Sequence, residues 1–172
     1  RLEGGDLARL ARDLIHFRLV LQPPGVAKPS WPVIGDDGRT VWPRGAAALH
    51  RPAYTVRHID PDAGWLETDI FIHDGGRACT FAASAAAGTI VGLAGPGGGG
   101  IAQGDSLLIG GDESAYPALA RTIETAGPGV TGECHLFGLR ADYPLPAHPG
   151  IRVIHAPHGE PALADRLRQH GT

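Results

Sequence analysis

Apolar and polar residues alternate over short periods in the first half of the chain and over longer periods in the second. Leu7, Leu10 and Leu14 follow the i, i+3, i+7 spacing of a helix across residues 6–14, with Asp6 placed to cap it. Residues 15–22 then alternate, putting Ile15, Phe17, Leu19 and Leu21 on one face of a half-buried strand. Residues 23–50 carry five prolines and an Asp-Asp-Gly turn, which predicts a long irregular loop of the kind that often borders a site. From residue 51 the spacing predicts a meander. One strand runs through "AYTVRHI" (53–59), a turn occupies 60–64, and a second strand covers 65–73. In that second strand Leu66, Thr68, Ile70 and Ile72 face the core, and Trp65, Glu67, Asp69 and Phe71 face away. A glycine turn then opens a helix of small residues within 74–88, and a strand runs into a glycine cluster over 89–100. Short antiparallel strands joined by tight turns predict a barrel.

Beyond residue 100 the pattern changes. Residues 105–127 read as an apolar strand, a Gly-Gly turn and a helix with Leu119 and Ile123 on one face. Two further buried strands fall at 132–140 and 150–157, and a closing helix at 160–171 has Pro161 in its first turn. Strand–helix–strand–loop–strand–helix is the grammar of a parallel α/β sheet. The expected architecture is therefore an N-terminal antiparallel β-barrel over 1–100, followed by an α/β parallel-sheet domain over 101–172.

Composition narrows the functions available. Fifteen Lys and Arg against 18 Asp and Glu leave a mildly acidic chain, without the basic excess that advertises nucleic-acid binding. No apolar run reaches the roughly 18–20 residues that span a bilayer. No secretory signal pattern precedes the first helix, so a cytoplasmic location is expected, and the lack of any methionine suggests a trimmed chain. Cys79 and Cys134 are the only cysteines, too few for a disulfide framework or a zinc knuckle. The nine histidines show no metal-ligand spacing, so no metal site is expected.

Three stretches could carry chemistry. In "RPAYTVR" (51–57), Arg51 supplies a planar cation for phosphate, Tyr54 a plate for an aromatic ring, and Thr55 a hydroxyl or amide. The same residues would also suit a plain surface strand. In "HDGGRAC" (73–79), glycines ahead of a helix leave backbone N–H groups free for an anion, with Arg77 adding charge. In "GGDES" (110–114), an apolar strand ends in glycines before a helix, which is where ligands bind in α/β sheets. Asp112 and Glu113 there suit the helix dipole as caps. "GPGGGG" (95–100) matches the dinucleotide glycine spacing, but no helix follows it, so it reads as a connection. No nucleophile elbow or triad is present.

Taken in order, R-x-Y-T-x-R, D-x-x-x-H with a following glycine turn, G-P-G-G and G-D-E-S-A-x-P resemble the siderophore-interacting protein family, flavoproteins of the ferredoxin–NADP reductase-like fold. The resemblance runs from about Asp6 to Thr172. It implies FAD on the barrel domain, NAD(P)H on the α/β domain, and a ferric siderophore as substrate, reduced by one electron so that Fe²⁺ is released. By position it implies Arg51 at the FAD phosphates and Tyr54 along the isoalloxazine, with Thr55, Asp69 and His73 beside the flavin. Gly76, Arg77, Ala78 and Cys79 would form the pyrophosphate turn. Gly111, Asp112, Glu113 and Ser114 would meet the nicotinamide nucleotide, and Arg57, Lys28 and Arg44 would be cations for an anionic siderophore. No catalytic side chain is implied beyond the flavin itself. The chain departs from the family pattern in Cys79, where serine is usual, and in Phe81, where tryptophan is common. It also reads as short of the barrel's first strand and of the last strand and helix of the α/β domain. Two other readings fit the same residues: a general flavin or ferredoxin-type reductase with another acceptor, and a two-domain binding module without cofactor.

Overall fold

Phe17, Leu19 and Leu21 point to one side of the first strand and are buried almost completely, as their alternation requires. In this computed structural model, which describes residues 7–12, 16–26, 28–156, 165 and 168, that strand is the centre of the first half. Helix α1 (Leu7–Arg12) precedes β1 (His16–Val20), and β1 pairs antiparallel with β4 (Ala53–Thr55) on one side and β7 (Gly92–Gly97) on the other. Two separate ribbons complete this half: β2 (Val33–Ile34) with β3 (Thr40–Val41), and β5 (His58–Asp60) with β6 (Trp65–Glu67). Leu10, Phe17, Leu19, Leu21, Val56 and Ala78 form the core here. The expected helix cap Asp6, the positions Leu14 and Ile15, and all of the closing helix at 160–171 except Asp165 and Arg168 lie outside the described residues.

The described residues of this half form a three-stranded sheet and two ribbons rather than a closed barrel. The reason lies in two interruptions. The expected strand over 53–59 breaks at Val56 and Arg57, which separate β4 from β5. Val56 turns into the core while its carbonyl accepts a hydrogen bond from Arg121 at 2.9 Å. The second strand stops at Glu67 rather than continuing to His73, and at the point where the chain is diverted the Thr68 hydroxyl donates to the Thr55 carbonyl at 2.8 Å. Leu66 and Ile70 still pack on the core, but Ile72 is exposed.

The second half follows its pattern closely. Strands β8 (Ser106–Gly111), β9 (Thr131–Leu136) and β10 (Ile151–His155) pair in parallel with β9 at the centre. Helix α3 (Tyr116–Thr125) crosses between β8 and β9 and lays Tyr116, Leu119 and Ile123 on Leu107, Cys134, Leu136 and Ile151. Burial pushes the Cys134 thiol up to about 11, so it behaves as an inert apolar group.

Two arginines help to join the halves. Arg121, on α3 and only 5 % exposed, donates to the carbonyls of Val56, Leu10 (2.8 Å) and Ala11 (2.7 Å). The last two belong to α1, whose C-terminal carbonyls attract a cation. Nearby, Arg57 forms a two-pronged pair with Glu124 at 2.6 and 3.0 Å. This hydrogen bond holds the Glu124 carboxyl below its ordinary value.

Replacing Arg121 with methionine should leave buried carbonyls without donors. The expected loss is about 3 kcal/mol in urea unfolding, or roughly 6–12 °C in midpoint. The Arg57–Glu124 pair should contribute fully above the unfolded glutamate pKa of about 4.3 and fade as pH falls through the lower folded value. The stability gap between the parent and Glu124→Gln, compared at pH 7 and pH 3, should therefore shrink in acid.

Candidate functional site

The diverted segment 68–73 and the glycine turn after it form one wall of a cleft of about 1010 Å³ between the halves. Small-molecule sites fall in the range of roughly 300–1,000 Å³. From the first half the lining includes Tyr54, Thr55, Asp69, His73, Gly76, Arg77, Ala78 and Cys79. From the second half it includes Glu113, Ser114, Tyr116, Arg140, Asp142 and Tyr143.

Helix α2 (Arg77–Ser84) begins on this wall. Its N-cap is Gly76 at φ 86°, a left-handed conformation that suits glycine and lets a ligand approach the backbone. The first N–H to close a helical turn is that of Thr80, onto the Gly76 carbonyl at 3.1 Å. The N–H groups of Arg77, Ala78 and Cys79 precede it and lie at the positive end of the helix. The Arg77 guanidinium reaches toward the Gln22 carbonyl at 3.5 Å. Burial, and then the Arg77 charge, push His50 on this wall below its ordinary value. Burial, helped by Cys79, raises the Tyr54 phenol, so Tyr54 stays a neutral plate. This wall joins a flat aromatic face to a cluster of anion donors. The chemistry fits a ligand with both a planar ring and phosphates.

The opposite wall is shaped by Glu113. Neither Asp112 nor Glu113 caps α3, whose N-cap is Ala115 without a side-chain bond. Asp112 instead accepts from the Ser114 N–H (3.0 Å) and hydroxyl (2.5 Å). Glu113 reaches across to the N–H groups of Leu139 (2.7 Å) and Arg140 (3.3 Å). Only glycine permits this at position 138, because a Cβ there would lie 2.1 Å from the Glu113 carboxyl carbon. The Gly138 N–H donates to the Tyr116 hydroxyl, and its carbonyl bonds the His155 ring at 2.9 Å. Arg140 is held by Asp142 through two hydrogen bonds.

The residues singled out in the sequence separate clearly. Tyr54, Thr55, Asp69, His73, Gly76, Arg77, Ala78 and Cys79 come together on one wall, with Glu113 and Ser114 facing them. Arg51 is not among the lining residues; its guanidinium stacks over the Trp42 ring at 4.1 Å. Gly111 and Asp112 lie outside the lining, as do Arg57, Lys28 and Arg44. Arg57 is engaged by Glu124, while Lys28 and Arg44 are exposed in the long loop. Missed from the sequence were His16, on the polar face of the alternating run 15–22, and His50, Arg140, Asp142 and Tyr143, single residues in loops. Among the described residues no three His, Cys, Asp or Glu side chains gather to hold a metal, and no helix is long and apolar enough to cross a membrane.

A sequence model of the siderophore-interacting FAD-binding domain matches residues 2–100, more than half of the chain. The chain belongs to that family. Uncharacterized proteins of Mycobacterium tuberculosis and Mycobacterium bovis are 39 % identical to it over 85 residues, which is 48 % of this chain and 30 % of theirs. Among solved structures, a siderophore utilization protein from T. fusca superposes with a TM-score of 0.73 at 26 % identity, over 98 % of this chain and 65 % of that one. The siderophore-interacting protein SipS from Aeromonas hydrophila gives 0.69 at 21 %, over 91 % and 59 %, a likeness of fold alone. This member of the family spans less than two thirds of each of these relatives.

Gly138→Ala should force Glu113 off the backbone N–H groups of Leu139 and Arg140. Amide hydrogen exchange at those two positions should speed up, while exchange in β1 and β7 stays as in the parent.

Proposed function

We propose that this chain is the flavin-binding part of an FAD-dependent oxidoreductase that takes electrons from NAD(P)H and passes them to ferric iron in a siderophore, releasing Fe²⁺. Residues 1–100 would hold FAD and residues 101–172 would receive the nicotinamide nucleotide, in the cytoplasm where that donor is available. The observation that carries the reading is the wall that combines Tyr54 with the opening of α2, inside the stretch matched by the FAD-binding family. FAD supplies the hydride-accepting, single-electron-releasing chemistry, and the protein supplies binding, orientation and electrostatics.

Each residue then has a task. The N–H groups of Arg77, Ala78 and Cys79, with the Arg77 guanidinium, bind the diphosphate at the helix N-terminus. Gly76 keeps that approach free of a side chain, and Tyr54 lies along the ring system. Thr55, Asp69 and His73 border it, and Glu113 and Ser114 face it from the other half. Cys79 in place of the usual serine weakens one side-chain donor but keeps the backbone donor. Arg51 would act from the rim, after leaving its stack on Trp42.

An absorption spectrum of the purified chain, before and after heat release, should show FAD approaching one per chain after loading. A colourless chain that refuses added FAD would remove the reductase reading and leave the cofactor-free module. Tyr54→Ala should cost about 1–3 kcal/mol of FAD affinity, roughly 5- to 150-fold in Kd. Arg77→Ala should weaken FAD by up to about tenfold, and less at high salt. Unchanged affinity in both variants would move the ligand off this wall.

A further inference from the structure

Tyr143 is the one lining residue from the second half that bonds directly, among the described residues, to a residue of the diverted segment 68–73. Its hydroxyl donates to the Asp69 carboxylate at 2.5 Å across the cleft. Its ring packs on the second core, with the Tyr116 ring 5.7 Å away. The charged groups around the hydroxyl are Asp69 and Arg57, and behind Arg57 stand Glu124 and His58, the latter also bonded to Glu67. Burial first, and then the hydrogen bond and charge of Asp69, raise the Tyr143 phenol well above its ordinary value, so it remains a donor. A carboxylate at the mouth of an open cleft would otherwise sample several rotamers. This one is held by a phenol whose half-buried ring packs against a core.

We infer that Tyr143 is a positioning residue: its hydroxyl fixes Asp69, and with it the 68–73 wall, against the ring system of the bound ligand. The inference rests on the reading of the cleft as a flavin site. It makes the flavin's surroundings depend on a residue of the loop between β9 and β10, so the second half contributes to the cofactor site through Asp69 rather than through the anion donors at the start of α2.

The test uses Tyr143→Phe in the full chain, with Asp69→Asn and the double variant beside it. Phenylalanine keeps the ring and removes only the donor. Tyr143→Phe should keep the circular dichroism and unfolding midpoint of the parent, bind FAD about three- to tenfold more weakly, and shift the visible band of bound flavin in the same sense as Asp69→Asn. The double variant should bind no more weakly than Asp69→Asn alone, since Tyr143 acts through Asp69. Parent-like affinity and band in Tyr143→Phe, or additive losses in the double variant, would overturn the inference. A parent chain that takes up no FAD would instead sink the flavin reading. The contact is then judged in the FAD-free chain by alkaline titration, with the Tyr143 signal identified by its absence from Tyr143→Phe. Asp69→Asn should let Tyr143 ionise at lower pH, and an unmoved titration would overturn the positioning role as well.

Discussion

A buried guanidinium on α3 sets the geometry on which the cleft depends. Arg121 has little solvent around it, and its donors are taken by carbonyls of α1 and of the break between β4 and β5. Burial lowers its pKa, yet the group stays charged because arginine starts so high. A cation buried among carbonyl dipoles has few other places to go, and losing any acceptor would leave it undersolvated. The parallel sheet is thereby fixed against the β4–β5 break, and the space between them has a defined width. Arg57 with Glu124, and Tyr143 with Asp69, extend the same junction toward the cleft.

The two walls of the cleft differ in character. One has the open end of α2, Arg77 and a half-buried tyrosine, all compatible with negative charge and a flat ring. The other has Glu113 and Asp142, whose charges are taken up locally by backbone N–H groups and by Arg140. An anionic ligand is thus drawn to the first wall, and the second presents a carboxylate already bonded within its own loop.

Much of this was legible in the sequence, for identifiable reasons. The parallel sheet was readable because apolar runs, glycine turns and the Leu119–Ile123 spacing all point to one arrangement. The α2 turn was readable because glycines ahead of small helical residues have few other uses. Closure of the barrel is the part not seen among the described residues. Continuous alternation through 53–59 and 65–73 does not reveal that the Val56 carbonyl meets Arg121, more than fifty residues away, or that the Thr68 hydroxyl bonds back to the Thr55 carbonyl just past β6. The same blindness explains Arg57 and Arg51. Spacing counts charges, but it does not show that one meets Glu124 and the other lies over Trp42. Asp112 and Glu113 looked like caps because they precede a helix, yet Glu113 is held by a loop more than twenty residues downstream. Tyr143 carried no local signal, since its partner Asp69 lies in the other half of the chain.

Hydrogen exchange of the chain with and without added FAD tests the central claim most directly. The account predicts slowed exchange at the amides of Arg77, Ala78 and Cys79 and along 68–73 when FAD is present. The exposed β2–β3 ribbon should be unchanged. Protection confined to other segments, or none at saturating FAD, would contradict the assignment of the cofactor to this wall.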